Sequence, residues 1–135
     1  MPLVGNTTSG ALTRTRIADY IAASESVTPV TVTDAARTLT SAELFVSKLF
    51  VCTPTAGRAF TTPTGAELAT YAADEVVGTS FEFTIVNLAA TTHAITLTAG
   101  ATGVTLVGNA VVAHATSGTF VGVVTAANTV SIYRK

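Results

Sequence analysis

Few side chains in this sequence have the types and spacing that chemistry requires. His93 and His114 are its two histidines, and Asp74, Glu75 and Glu82 are the carboxylates they would need as metal co-ligands. Imidazole and carboxylate together suit a transition metal, but no HxH, HExxH or CxxC spacing brings such groups to one face. Too few acids occur at regular intervals for a Ca²⁺ loop. Ser80, His93 and Asp74 supply the parts of a nucleophilic triad. In a chain this rich in Ser and Thr that combination arises by chance, and no G-x-S-x-G turn raises a serine above its surroundings. Thr55-Ala56-Gly57-Arg58 lacks the GxxxxGK[ST] phosphate loop. Asp74-Glu75 fits a solvated helix end better than an acid–base pair. The expectation is no catalytic residue, no cofactor-binding residue, no metal ligand and no enzyme. The two histidines read as surface or interface residues; at an interface their protonation could make assembly pH-sensitive, though nothing in the sequence requires it.

Composition agrees. Seven Lys and Arg against eight Asp and Glu leave a net charge of −1, and charged residues are 11% of the chain. Phosphate neutralisation needs clustered Lys and Arg, so nucleic acid is not expected as a partner. No polybasic segment suits a membrane surface, and no apolar run reaches the ~20 residues that span a bilayer. Met1–Gly10 has neither the basic nor the apolar region of a secretory signal. A chain made in a reducing cytoplasm would also leave the single Cys52 as a small buried hydrophobe and the sequon Asn6-Thr7-Thr8 unglycosylated. A start at Met1 and an end just past the last strand fit a free-standing subunit better than the tip of a long fibre.

The elements that would carry these residues are mostly strands. Thr and Val are abundant, and their β-branched side chains favour a pleated surface. Residues 1–26 read as an N-terminal arm with a short helical segment, in which Ile17, Tyr20 and Ile21 recur at helical spacing. Residues 27–135 read as the folded domain. Val27–Thr33 alternates Val and Thr around Pro29, as an edge strand does. Thr40-Ser41-Ala42-Glu43 and Thr64-Gly65-Ala66-Glu67 are capping-box patterns, each opening a short helix. Leu49–Thr53 and Arg58–Thr62 are strand-like around the turn Pro54-Thr55-Ala56-Gly57. Ser80–Asn87, His93–Thr98, Val104–Val107, Ala110–Ala115, Thr119–Thr125 and Thr129–Arg134 follow, with Gly, Asn and Ser in most of the gaps. Strands at ~8–12-residue spacing predict a mainly β, antiparallel β-sandwich or jelly-roll-like single domain with one or two short helices.

The most informative feature is an absence. From Phe83 to Tyr133 there is no Asp, Glu, Lys or Arg. Exposed strand edges normally carry charge that blocks sheet-to-sheet association, and mean hydropathy is +0.54. Burial between subunits accounts for both, because interface cores are depleted of charge. A homo-oligomer is therefore expected.

Particular motifs add a resemblance. They are Thr38-Leu39-Thr40-Ser41-Ala42-Glu43-Leu44; Phe60-Thr61-Thr62-Pro63-Thr64-Gly65-Ala66-Glu67-Leu68; Val77-Gly78-Thr79-Ser80-Phe81-Glu82-Phe83-Thr84-Ile85-Val86-Asn87; Val104-Thr105-Leu106-Val107-Gly108; and Asn128-Thr129-Val130-Ser131-Ile132-Tyr133-Arg134. In this order they resemble the head decoration, or cement, proteins of tailed bacteriophages, with a cyanophage as one candidate source. The run Thr33–Arg134 that carries the resemblance is about three-quarters of the chain. The resemblance implies a trimer of β-sandwich or jelly-roll domains on the capsid exterior, made in the host cytoplasm, which clamps neighbouring major capsid subunits. The Gly-x-Ser-Phe-x-Phe-x-Ile-x-Asn pattern is also similar to phage fibre-like proteins. The alternative it implies is a tail fibre- or spike-associated β module that binds a host receptor or glycan. Candidate capsid or subunit contacts are Leu3, Val4, Leu12, Arg14 and Arg16, all in the arm.

Overall fold

A computed structural model describes residues 27–72 and 77–135. The arm, its helical segment, the five candidate contacts within it and the Asp74-Glu75 pair lie outside the described residues.

Among the described residues ten strands form two sheets. The strands are β1 (Val30–Thr31), β2 (Arg37–Thr38), β3 (Leu49–Cys52), β4 (Arg58–Thr61), β5 (Ser80–Asn87), β6 (Ile95–Thr98), β7 (Val104–Val107), β8 (Val111–Val112), β9 (Thr116–Ala126) and β10 (Thr129–Arg134). The larger sheet has six strands in the order β1-β3-β5-β9-β10-β7, and the smaller has four in the order β2-β4-β6-β8. Both sheets contribute to one core, which includes Phe50, Phe83, Phe120 and Ile132 from the larger and Phe60, Ile95, Leu97 and Val112 from the smaller.

The antiparallel sandwich or jelly roll is not what forms. β1–β3, β3–β5, β2–β4, β4–β6 and β7–β10 pair in parallel. Only β5–β9, β9–β10 and β6–β8 pair antiparallel. From β2 to β9, each strand lies in the sheet opposite to the strand before it. A strand therefore returns to its own sheet only after the chain has crossed the facing one. Parallel pairing requires such a crossover, and here a strand of the other sheet supplies what a helix supplies elsewhere. Short strands at regular spacing arise equally from hairpins and from this alternation.

Within each strand the pattern matches the pleat. Phe81, Phe83 and Ile85 of β5 are buried, whereas Glu82 is exposed and Thr84 and Val86 are half-buried. Phe83 stands opposite Phe120 of β9 with ring centroids 5.4 Å apart. Burying each such side chain contributes about 1.5–3 kcal/mol.

Both capping boxes form. In α1 (Gly65–Tyr71) the Glu67 N–H donates to Thr64 Oγ1 at 3.2 Å, and the Thr64 N–H donates to Glu67 Oε2 at 2.8 Å. Thr40 and Glu43 exchange the same pair of bonds at 3.2 and 3.0 Å. The first box leads into a π-helical turn, Glu43–Ser47, rather than a regular helix. Lys48, at φ 61°, ends the turn and donates its N–H to Glu43 O five residues back. The wide turn buries Leu44 fully and places the Phe45 ring against Phe81 and Tyr71.

A candidate assembly surface

Among the described residues, the groups that could have done chemistry do not converge. Ser80 begins β5, and Asn87, which ends it, bonds the carbonyl of His93. At ~3.3 Å per residue, Ser80 and His93 lie about 20 Å apart. His114 is exposed and His93 half-buried. Among the described residues no group of three or more His, Cys, Asp or Glu could hold a metal, and no helix is long and apolar enough to cross a membrane. Cys52 is buried. Burial, and then the nearby Asp34 carboxylate, push its thiol pKa up, so thiolate reactivity is suppressed.

Charge gathers at the β1–β2 side. Asp34, between these strands, accepts from Arg58 Nε at 2.6 Å and from the Thr55 hydroxyl and N–H at 2.5 and 3.1 Å. The Arg58 guanidinium and then Thr55 hold its carboxyl well below the usual range. Arg37 pairs with Glu43. Burial tends to raise the Glu43 pKa, but the Thr40 N–H and Arg37 outweigh it, and the net shift is downward.

The outer face of the larger sheet is different. Register aligns Glu82, Val121, Tyr133 and Val107 in one row across β5, β9, β10 and β7. Ser80, Val123, Ser131 and Thr105 form the next row, and Leu49, Thr84 and Thr119 another. The Thr84 and Thr119 hydroxyls lie 3.0 Å apart. Tyr133 is 41% exposed and Val107 44%. Among the described residues, the charges on this face are Glu82 and, just past β10, Lys135, which pair at 3.0 Å. An exposed pair of this kind contributes little stability, but its charges cancel. What remains is Val, Thr, Ser and Tyr, a face with small area per residue, few rotamers to order and one ion pair to desolvate.

Two residues, one within the uncharged half and one just past its end, have roles that composition hides. Arg134 has its side chain over the Phe120 ring, 5.1 Å from the centroid. Its Nη1 donates to Asn109 O at 3.1 Å and Val111 O at 3.0 Å. Asn87 is fully buried at an inward position of β5. A signal for Asn87 was present: it shares the parity of Phe81, Phe83 and Ile85. Arg134 carried no comparable mark beyond its place at a strand end.

No family model matches the chain, and neither a curated protein nor a solved structure is similar to it.

Proposed function

We propose that this chain is a structural virion protein that binds the outside of an icosahedral capsid as a small homo-oligomer and holds neighbouring major capsid subunits together. The reading gives it no catalytic role and no cofactor. The observation that carries it is the outer face of the larger sheet, where Val121, Val123, Thr105, Val107 and Tyr133 extend across the strands and the Glu82–Lys135 pair cancels its own charge. Such a face gains free energy by leaving water, and its desolvation cost is confined to the hydroxyls and the one ion pair. The motif resemblance supports the shell as the setting.

The test is co-sedimentation of purified protein with undecorated capsids, followed by a count of bound copies. The expected outcome is saturable binding at hundreds of copies per particle, with bound shells surviving heating that opens bare ones. Failure to bind shells, together with binding to host cells or glycans, would move the assignment to a fibre- or spike-associated module.

A further inference from the structure

We propose that β7 is a pairing edge, and that its occupant is β7 of a second copy of this chain, joined antiparallel about a two-fold axis at Thr105. The inference rests on the self-association part of the reading above and specifies its geometry.

The parallel β7–β10 ladder fixes which backbone groups of β7 are used. Val130 N–H donates to Gly103 O at 2.8 Å, with Val104 opposite Val130. Alternation along a parallel ladder then directs the N–H and C=O of Thr105 and Val107 toward β10, and those of Val104 and Leu106 away from it. Among the described residues nothing pairs with the outward groups of Val104 and Leu106, since β7 ends its sheet. Glycines with positive φ, Gly103 and Gly108, bound the strand at its two ends.

The neighbouring edge is closed. β8 ends the smaller sheet, and both outward groups of Val111 are occupied: its N–H by Asn109 Oδ1 at 2.9 Å and its C=O by Arg134. The β1–β2 side carries Asp34, Arg37, Glu43 and Arg58, the charge that normally guards sheet edges. Among the described residues β7 has neither protection, and no charged residue lies between Phe83 and Tyr133 to supply one.

A strand that pairs with its own copy must keep inward residues opposite inward ones. A two-fold axis at Thr105 does so, setting Val104 opposite Leu106 of the second copy and Thr105 opposite its own equivalent. The outward groups of Val104 and Leu106 are then those an antiparallel pair exchanges, giving four N–H···O=C bonds. Thr105 forms the close non-hydrogen-bonded pair, with Cα atoms about 4.5 Å apart. The row containing Tyr133 and Val107 approaches the axis from both sides, so the uncharged outer face becomes continuous across two copies. The unit of assembly is a dimer, in place of the trimer that the resemblance implies.

The test uses the full chain and no capsid. Sedimentation velocity at micromolar concentration is expected to show a dimer. Thr105→Lys, an exposed outward position, sets two ammonium groups opposite each other and is expected to weaken the dimer about tenfold or more with the far-UV circular dichroism unchanged. Thr105→Cys is expected to give a disulfide-linked dimer under mild oxidation, and Ala90→Cys, on an exposed loop, is not. A monomeric wild type, or a dimer that survives Thr105→Lys while Thr105→Cys fails to cross-link, overturns the proposal. A monomer that still coats capsids would remove this pairing and leave the shell reading standing; a dimer that ignores capsids would do the reverse.

Discussion

Asn87, the last residue of β5, donates through Nδ2 to the carbonyl of Val112 in the facing sheet at 3.0 Å. The same amide donates to His93 O at 2.8 Å, and its Oδ1 accepts from the Ala89 N–H at 2.9 Å. One buried side chain thus ties the two sheets and the loop that carries the chain between them. Asn87→Ala would strand three backbone groups at a site with no exposure. The expected loss is about 3 kcal/mol, since each unsatisfied buried group costs about 1–3 kcal/mol. Urea unfolding measures it, and a loss below 1 kcal/mol would mean that water replaces the amide.

Asn87 also marks where sequence reasoning reached its limit. The alternation Phe81, Phe83, Ile85 defines β5 to the residue, because inward and outward positions differ in burial whatever the neighbouring strand does. For the same reason the alternation says nothing about strand direction. Leu49–Cys52 reads identically beside a parallel or an antiparallel partner, and it lies parallel to both β1 and β5. The capping boxes were legible because Thr40–Glu43 and Thr64–Glu67 bond within four residues. The Asp34–Arg58 pair and the reach of Arg134 to Val111 join residues 24 and 23 positions apart, and only the crossover topology brings those together. The uncharged outer face followed from composition, and its open edge at β7 did not.

Gly122 faces Phe81 across the β5–β9 ladder. A Cβ there would collide with the ring, Cζ foremost. Gly122→Ala is expected to cost about 1–3 kcal/mol, the usual range for overpacking a core. Phe81→Leu should relieve much of that cost, so the double variant is expected to be more stable than the sum of the single losses predicts. Strict additivity in chemical denaturation would show that the ring is not what limits position 122.

Arg134 closes the β8 edge through two carbonyls and packs over Phe120. Arg134→Met keeps much of the apolar contact and removes both hydrogen bonds. It is expected to lower stability by about 1–2 kcal/mol and, by freeing Val111 O, to promote higher assemblies on concentration. Arg134→Lys should not restore the wild type, because a single ammonium cannot reproduce the planar fork over the ring. Thermal unfolding and light scattering of the three proteins separate the two effects.

Acid should weaken the fold through the β1–β2 side. Asp34 and Glu43 both titrate below their ordinary range in the folded chain. A carboxylate with a depressed folded pKa stabilises the native state above its unfolded pKa, about 4, and that contribution is lost as pH falls through the folded value. Denaturation midpoints are therefore expected to be flat with respect to these two groups from neutral pH to about 5 and to fall below about 4. Asp34→Asn removes one of them. It should lower the midpoint at neutral pH, where the ionised carboxylate pairs with Arg58, and shrink the drop between neutral and acidic conditions. If the variant kept the full wild-type drop, the acid sensitivity would belong to other carboxylates and the Asp34–Thr55–Arg58 cluster would be no more than surface geometry.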